Sequence, residues 1–152
     1  MLDDKKPICL QAKPIIPGTA QGLTLVSNEP LSFWGGIDPE TGEIIDRRHE
    51  KSGQTVSHRI FAFPNGKGSS TASATLLECI HKGTAPAAII NSSIDTVLAL
   101  GSIVADELYG KCVPIMLVSS EDFAKLPDGA SVQIHPDGRI IVTEPARGER
   151  PK

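Results

Sequence analysis

The spacing of apolar residues changes period after residue 58 and then alternates between two periods, which limits the fold more than any other feature. Arg59-Ile60-Phe61-Ala62-Phe63 is a short apolar run stopped by Pro64, the pattern of a buried strand. Ala72, Leu76, Leu77 and Ile80 then recur at helical spacing, and Gly83 stands where a C-terminal glycine cap belongs. Ala87-Ala88-Ile89-Ile90 reads as a strand, residues 94–108 as a second helix ended by Gly110, and Val113 to Val118 as a third strand. Strands separated by helices are not hairpin partners. The helices act as crossovers, so the order strand, helix, strand, helix, strand predicts parallel pairing in an α/β layer.

The flanks read differently. Residues 8–16 and 20–27 alternate as strands around the turn Pro17-Gly18. Ser131 to His135 and Arg139 to Thr143 form a hairpin about Pro136-Asp137-Gly138, and Ser119 or Ser120 caps a short helix through Leu126. Residues 28–58 are polar and turn-rich, and a connection that long inside a domain is functional or carries structure of its own. With four Phe, one Trp and one Tyr, the core must be largely aliphatic. The expected fold class is α/β: one domain over residues 1–143, a β layer packed beside a mostly parallel α/β layer, followed by a polar tail over 144–152.

Charge and spacing exclude several functions. A formal net charge of -3 leaves no basic stripe for a nucleic acid, and the one basic cluster, Arg47-Arg48-His49, is bracketed by Asp46 and Glu50. No apolar run has the length of a membrane span, and the N-terminus lacks the apolar core of a signal peptide, so a cytoplasmic location is expected. Cys9, Cys79 and Cys112 lie far apart and the four histidines show no ligand spacing, so no metal is expected on this chain and each thiol is expected as a small buried hydrophobe.

The stretch richest in chemistry is Phe63-Pro64-Asn65-Gly66-Lys67-Gly68-Ser69-Ser70-Thr71. It leaves a strand, passes two glycines and enters a helix, where backbone N–H groups and the helix dipole together favour an anion. The P-loop pattern fails because Gly68 follows Lys67, and the dinucleotide fingerprint fails because residue 71 is Thr. Ser69 or Ser70 as a simple helix cap is the plainer alternative. A helix N-terminus supplies at most about 2 kcal/mol, and one pKa unit is about 1.4 kcal/mol. A serine alkoxide here therefore needs cations or a metal-bound substrate from another chain. The chain reads as part of an enzyme.

A second stretch, Leu31 to Gly42, offers Trp34-Gly35-Gly36 as a pocket wall; the plainer alternative plugs the core with Trp34 and makes Pro39-Glu40-Thr41-Gly42 a tight turn. Asp38, Glu40 and Glu43 fail the calcium-loop pattern and are expected as solvated turn residues. Arg47, Arg48 and His49 are expected as a solvated basic step.

Taken together, PLSFWGGIDPETGEIIDRRHE, FPNGKGSSTAS, GTAPAAIIN and LALGSIVADELYG resemble the small, swivelling subunit of the aconitase X family, from about Lys13 to Val142. The resemblance implies a swivelling β/β/α domain that works with a large subunit, the iron or iron-sulfur site being held there and none by this chain. It implies that Ser69, directly after the glycine of the G-S-[ST] segment, is the catalytic base, with Gly68, Ser70 and Lys67 as substrate-binding residues. Where the aconitase pattern places a carboxylate-binding arginine, this chain has Thr71, which argues against a tricarboxylic substrate. The implied reaction is dehydration of a small hydroxy acid, either cis-3-hydroxy-L-proline or mevalonate 5-phosphate, with the first closer by general likeness. In it, metal in the partner polarises the leaving hydroxyl while Ser69 takes the proton from carbon. The competing class is a non-catalytic anion-binding or adaptor module.

Overall fold

A computed structural model describes residues 7–66 and 71–143. In chain order the elements are β1 (Ile8–Gln11), β2 (Lys13–Ile16), β3 (Ala20–Val26), α1 (Phe33–Gly36), β4 (Ile60–Ala62), α2 (Ala72–Lys82), β5 (Ala88–Asn91), α3 (Thr96–Tyr109), β6 (Ile115–Leu117), α4 (Ser120–Phe123), β7 (Ser131–Ile134) and β8 (Arg139–Thr143). The strands form one sheet in the order β1-β8-β7-β3-β4-β5-β6-β2. Its centre is parallel, as the alternating periods require: Thr24 pairs with Ile60, Ile60 with Ala88 and Ile89 with Ile115.

Every residue of β4 and β5 is buried, because both faces of these strands are covered. Phe61, Phe63, Ile89 and Ile115 face one core shared with Leu76, Cys79 and Ile80 of α2 and Leu98 and Ala105 of α3. Ile60, Ala62, Ala88, Ile90 and Met116 face a second core closed by Val132 and Ile134 of β7 and Ile140 and Val142 of β8. The layers are therefore β, β and α, with the expected β layer beside a mostly parallel one. β3 belongs to both: Ala20 to Leu23 pair with β7 and Thr24 to Val26 with β4.

The N-terminal hairpin does not form. Residues 8–16 break at Ala12 into two strands, β1 pairing antiparallel with β8 at one end of the sheet and β2 antiparallel with β6 at the other. A single residue thus joins the two outermost strands, so the sheet must curl until its ends meet, making it barrel-like. Ala12 N–H donates to the Gly138 carbonyl at 2.8 Å within this junction. The β7–β8 hairpin is present as expected, with Val132 opposite Val142.

On the outer face α2 and α3 pack directly. A Cβ at Gly101 of α3 would lie 2.6 Å from the Ser73 carbonyl oxygen of α2, so only glycine permits this approach. Both helices end on left-handed glycines, Gly83 (φ 77°) and Gly110 (φ 65°), as their positions predict. The helix after β6 is shorter than expected, Ser120–Phe123, with Ser119 as its cap, and turns carry the chain on to Leu126.

The long segment 28–58 carries structure of its own: Ile37 bridges Ile44, Glu43 bridges Thr55, and Leu31, Phe33, Ile37, Ile44 and Val56 enter the helix-side core. Three expectations change here. Trp34 is 61% exposed, so the alternative that plugs the core with it fails and Phe33 fills the core instead, in a short α1 turn that is non-helical at Trp34 (ψ 120°) and Gly35 (φ 79°). His49 is buried rather than solvated, while Arg47 and Arg48 are exposed. Of the thiols only Cys79 is buried; Cys9 lies on the sheet's edge strand and Cys112 in the turn after α3, both exposed.

Candidate functional site

The glycine-rich segment leaves β4 at the carboxyl edge of the parallel strands, the side on which open α/β sheets bind ligands. The turn is tied to its neighbour, the β5–α3 connection. Ser92 and Ser93 N–H groups both donate to the Pro64 carbonyl at 3.1 Å, and Asn91 Nδ2 donates to the Phe63 carbonyl at 2.9 Å. On the other flank, Leu31 forms a parallel bridge with Gly66, its N–H donating to Asn65 O at 3.3 Å.

Asp95 joins the two connections. Its Oδ1 accepts from Val97 and Leu98 N–H, both at 3.1 Å, and so caps α3; its Oδ2 accepts from Gly66 N–H at 3.0 Å. One carboxylate thereby fixes the start of a helix and the first glycine of the segment. A Cβ at Gly66 would collide with Asp95 Oδ2, so a larger residue there displaces the carboxylate from this bond. Next to this junction lies an open cavity of about 360 Å³, walled by Leu31, Phe33, Gly66, Ala72, Ile94 and Asp95 among others. Leu31 and Phe33, rather than Trp-Gly-Gly, supply the wall from the second sequence stretch.

Lys67, Gly68, Ser69 and Ser70 lie outside the described residues. Their flanks are placed: Gly66 is held by Asp95, and Thr71 occupies the N-cap position of α2. The described flanks thus lie at the cavity wall, for Gly66, and at the N-terminus of α2, for Thr71. Asp95 and Asn91 went unnoticed in the sequence. An acid just ahead of a helical pattern signals a cap, but nothing local signals its second bond to a residue 29 positions away.

A second cavity of about 340 Å³, lined by Glu29, Pro30, Asp46, Arg48 and His49, lies beyond the end of β3. His49 Nδ1 accepts the Lys51 N–H at 3.1 Å, which leaves the proton of the neutral ring on Nε2, 3.2 Å from Ser27 Oγ. Ser27 Oγ donates in turn to the Glu29 carbonyl at 3.1 Å, so its proton is already committed. This serine–histidine pair holds a loop together and presents no nucleophile.

Among the described residues no group of three His, Cys, Asp or Glu is arranged to hold a metal ion, and the thiols sit on separate elements. An iron or iron-sulfur centre therefore has no fitting ligand set among them. Burial pushes the Cys79 thiol up to about 11, and burial together with Asp106 raises that of Cys112, so neither is an activated thiolate. No helix among the described residues is long and apolar enough to cross a membrane.

Comparison with known proteins places this geometry in a family. The chain is 42% identical over 132 residues to the cis-3-hydroxy-L-proline dehydratase of Pseudomonas aeruginosa, a match covering 82% of this chain and 23% of that protein. A dehydratase of the same name from Hypocrea jecorina is 40% identical over 111 residues, 73% of this chain and 19% of that one, so the chain spans under a quarter of both relatives. The phosphomevalonate dehydratase small subunit of Thermococcus gammatolerans is 38% identical over 136 residues, 89% of this chain and 98% of that subunit. Among solved structures, the holo-form of Thermococcus kodakaraensis aconitase X superposes with a TM-score of 0.81 at 35% identity, covering 90% of this chain and 99% of that one. A family model described as the aconitase X swivel domain matches residues 9–143, and with its three β, β and α layers the chain belongs to the aconitase X swivel-domain family.

Proposed function

We propose that the chain is the small subunit of a two-part hydro-lyase that removes water from cis-3-hydroxy-L-proline, with Ser69 as the base. The observation that carries this reading is the anchored glycine turn. Asp95 fixes Gly66 at the carboxyl edge of the parallel strands, beside an open cavity, immediately before Gly68, Ser69 and Ser70 in the chain. Ser69 precedes the N-cap of α2, Thr71, by two residues in the chain, and the dipole of a helix N-terminus favours negative charge.

The reaction breaks the C–H bond next to the substrate carboxylate and the neighbouring C–O bond. Ser69 takes the proton, the carbon electron pair forms the double bond, and the hydroxyl departs as hydroxide that takes up one proton from solvent to leave as water, while Ser69 returns its proton to solvent and is reset. The resulting cyclic enamine tautomerises to a pyrroline carboxylate. Gly68 and Ser70 supply donors for the substrate anion and Lys67 supplies positive charge, while the departing oxygen is left to the large subunit. Serine needs such help, since the helix dipole alone falls many pKa units short of an alkoxide. A closed interface that brings the two halves together supplies it by positioning.

Mevalonate 5-phosphate is the second reading, favoured because small subunits bearing that activity in their names match the chain over nearly their whole length. Co-expression with the large subunit, followed by assays on both substrates for wild type and Ser69→Ala, tests the proposal. Turnover of cis-3-hydroxy-L-proline that vanishes in the variant, with assembly and substrate affinity kept, is expected. An assembled, metal-loaded complex that turns over neither substrate refutes it in favour of a binding module.

A further inference from the structure

α2 and α3 pack against each other over the sheet, yet they present opposite surfaces to the outside. The outward residues of α2 are Ala74, Glu78, His81 and Lys82, a row suited to water. α3 buries Leu98, Gly101, Ser102 and Ala105 on its inner side and still carries apolar residues on the outer one. Leu100 (54% exposed), the half-buried Val104 and Leu108 (62% exposed) follow one another at four-residue spacing, with Ile103 (50% exposed) beside them. A helix apolar on both sides is one that is covered on both. Exposed apolar rows of this kind mark the places where a partner sits.

The row starts at the cavity. Val97, three residues before Leu100, lines the cavity wall together with Ile94. The apolar surface is therefore continuous with the edge of the sheet at which the candidate site lies. In the Pseudomonas aeruginosa relative the matched part is 23% of the chain, so the domain is joined there to a much larger body. A second copy of this chain is a poorer occupant. α3 has no Lys or Arg and carries acids at both ends, Asp95 at its cap and Asp106 and Glu107 near its close. Two α3 helices laid together, parallel or antiparallel, set acid against acid. We infer that this row is the surface on which the large subunit packs, offering an apolar strip with basic residues at its rim. The inference rests on the two-part reading above and gives it a place on this chain.

The test uses the complex with the large subunit. Leu100→Lys/Ile103→Lys puts two charges on the row, and its Kd for the large subunit is expected to rise at least about 100-fold, since two large apolar side chains lose their burial. Saturating large subunit is expected to restore kcat, because neither residue lines the cavity. Ala74→Lys, on the outward side of α2, is expected to assemble as the wild type does. Hydroxyl-radical labelling of the wild-type chain gives a reading that does not depend on a variant folding: Leu100, Ile103 and Leu108 are expected to be oxidised in the free chain and protected in the complex. Wild-type Kd in the double variant, or equal labelling with and without the large subunit, overturns the inference and leaves the two-part reading standing. Protection that appears in the chain alone as its concentration rises assigns the row to a second copy and overturns the inference as well. A wild-type chain that binds no large subunit refutes the two-part reading, and this surface with it.

Discussion

Replacing Asp95 by asparagine separates the two tasks of one carboxylate. Asparagine caps helices as well as aspartate does, so the bonds from Val97 and Leu98 to Oδ1 can survive. The other end of the side chain, which accepts from Gly66 N–H at 3.0 Å, becomes an NH₂ group facing another donor. A hydrogen bond to a charged group contributes about 1.5–3 kcal/mol, and the partial exposure of Asp95 selects the lower end, about 2 kcal/mol. Should the amide rotate to serve Gly66, the cap is lost instead, at about 1 kcal/mol. Either way the variant loses about 1–2 kcal/mol, and Asp95→Ala, which loses both, about 3 kcal/mol. For a chain of this size each kcal/mol lowers Tm by about 2–4 °C. Urea unfolding followed by circular dichroism measures the loss, and amide exchange at Gly66 reports the separated bond. Stability of Asp95→Asn within about 0.3 kcal/mol of wild type, with Gly66 exchange unchanged, would refute the claim that this carboxylate anchors the turn.

Two further predictions concern the core. Ser102 is fully buried, and its hydroxyl both donates to the Val113 carbonyl at 2.8 Å and accepts the Val113 N–H at 2.9 Å; Ser102→Ala strands both groups and is expected to cost about 2–3 kcal/mol in urea titration. In the native chain, thiol reagents at neutral pH are expected to modify Cys9 and Cys112 but to reach Cys79 only after unfolding. Because folding raises the Cys79 pKa from 9.0 to about 11, the unfolded chain loses that proton first. The associated stability, roughly 3 kcal/mol, is intact below pH 9 and lost as pH rises toward 11. Cys79→Val is expected to lack this alkaline contribution, measured as the difference between the two unfolding curves at pH 8 and pH 11.

The parallel centre of the fold was legible because its signal is local. Helical spacing at Ala72, Leu76 and Ile80, the closing glycines Gly83 and Gly110, and apolar strand runs between them each need only a window of a few residues. The N-terminal strands were legible as strands and misread as a hairpin. Residues 8–16 carry no mark at Ala12 to show that the chain leaves one partner for another, and β8 and β6 lie more than 90 residues away in sequence. Trp34 and His49 failed for a related reason. Burial was inferred from residue type, yet which of the adjacent rings Phe33 and Trp34 enters the core is settled by tertiary packing, and His49 is buried against Ser27, 22 residues earlier.

The site divides along the same line. Its glycines and serines form a contiguous motif that can be read directly, whereas the groups that hold the turn come from residues 28 and 29 positions away. Those positions are not arbitrary. Crossover helices in a parallel sheet return each strand in the same direction, so the chain leaves β4 and β5 at one edge, and their βα turns lie side by side. Once strand order is inferred from the alternating periods, the polar residues that end the next strand and cap the next helix become the natural candidates to brace a glycine-rich turn. Asn91 and Asp95 occupy those two places, so the brace follows from topology even though no motif contains it.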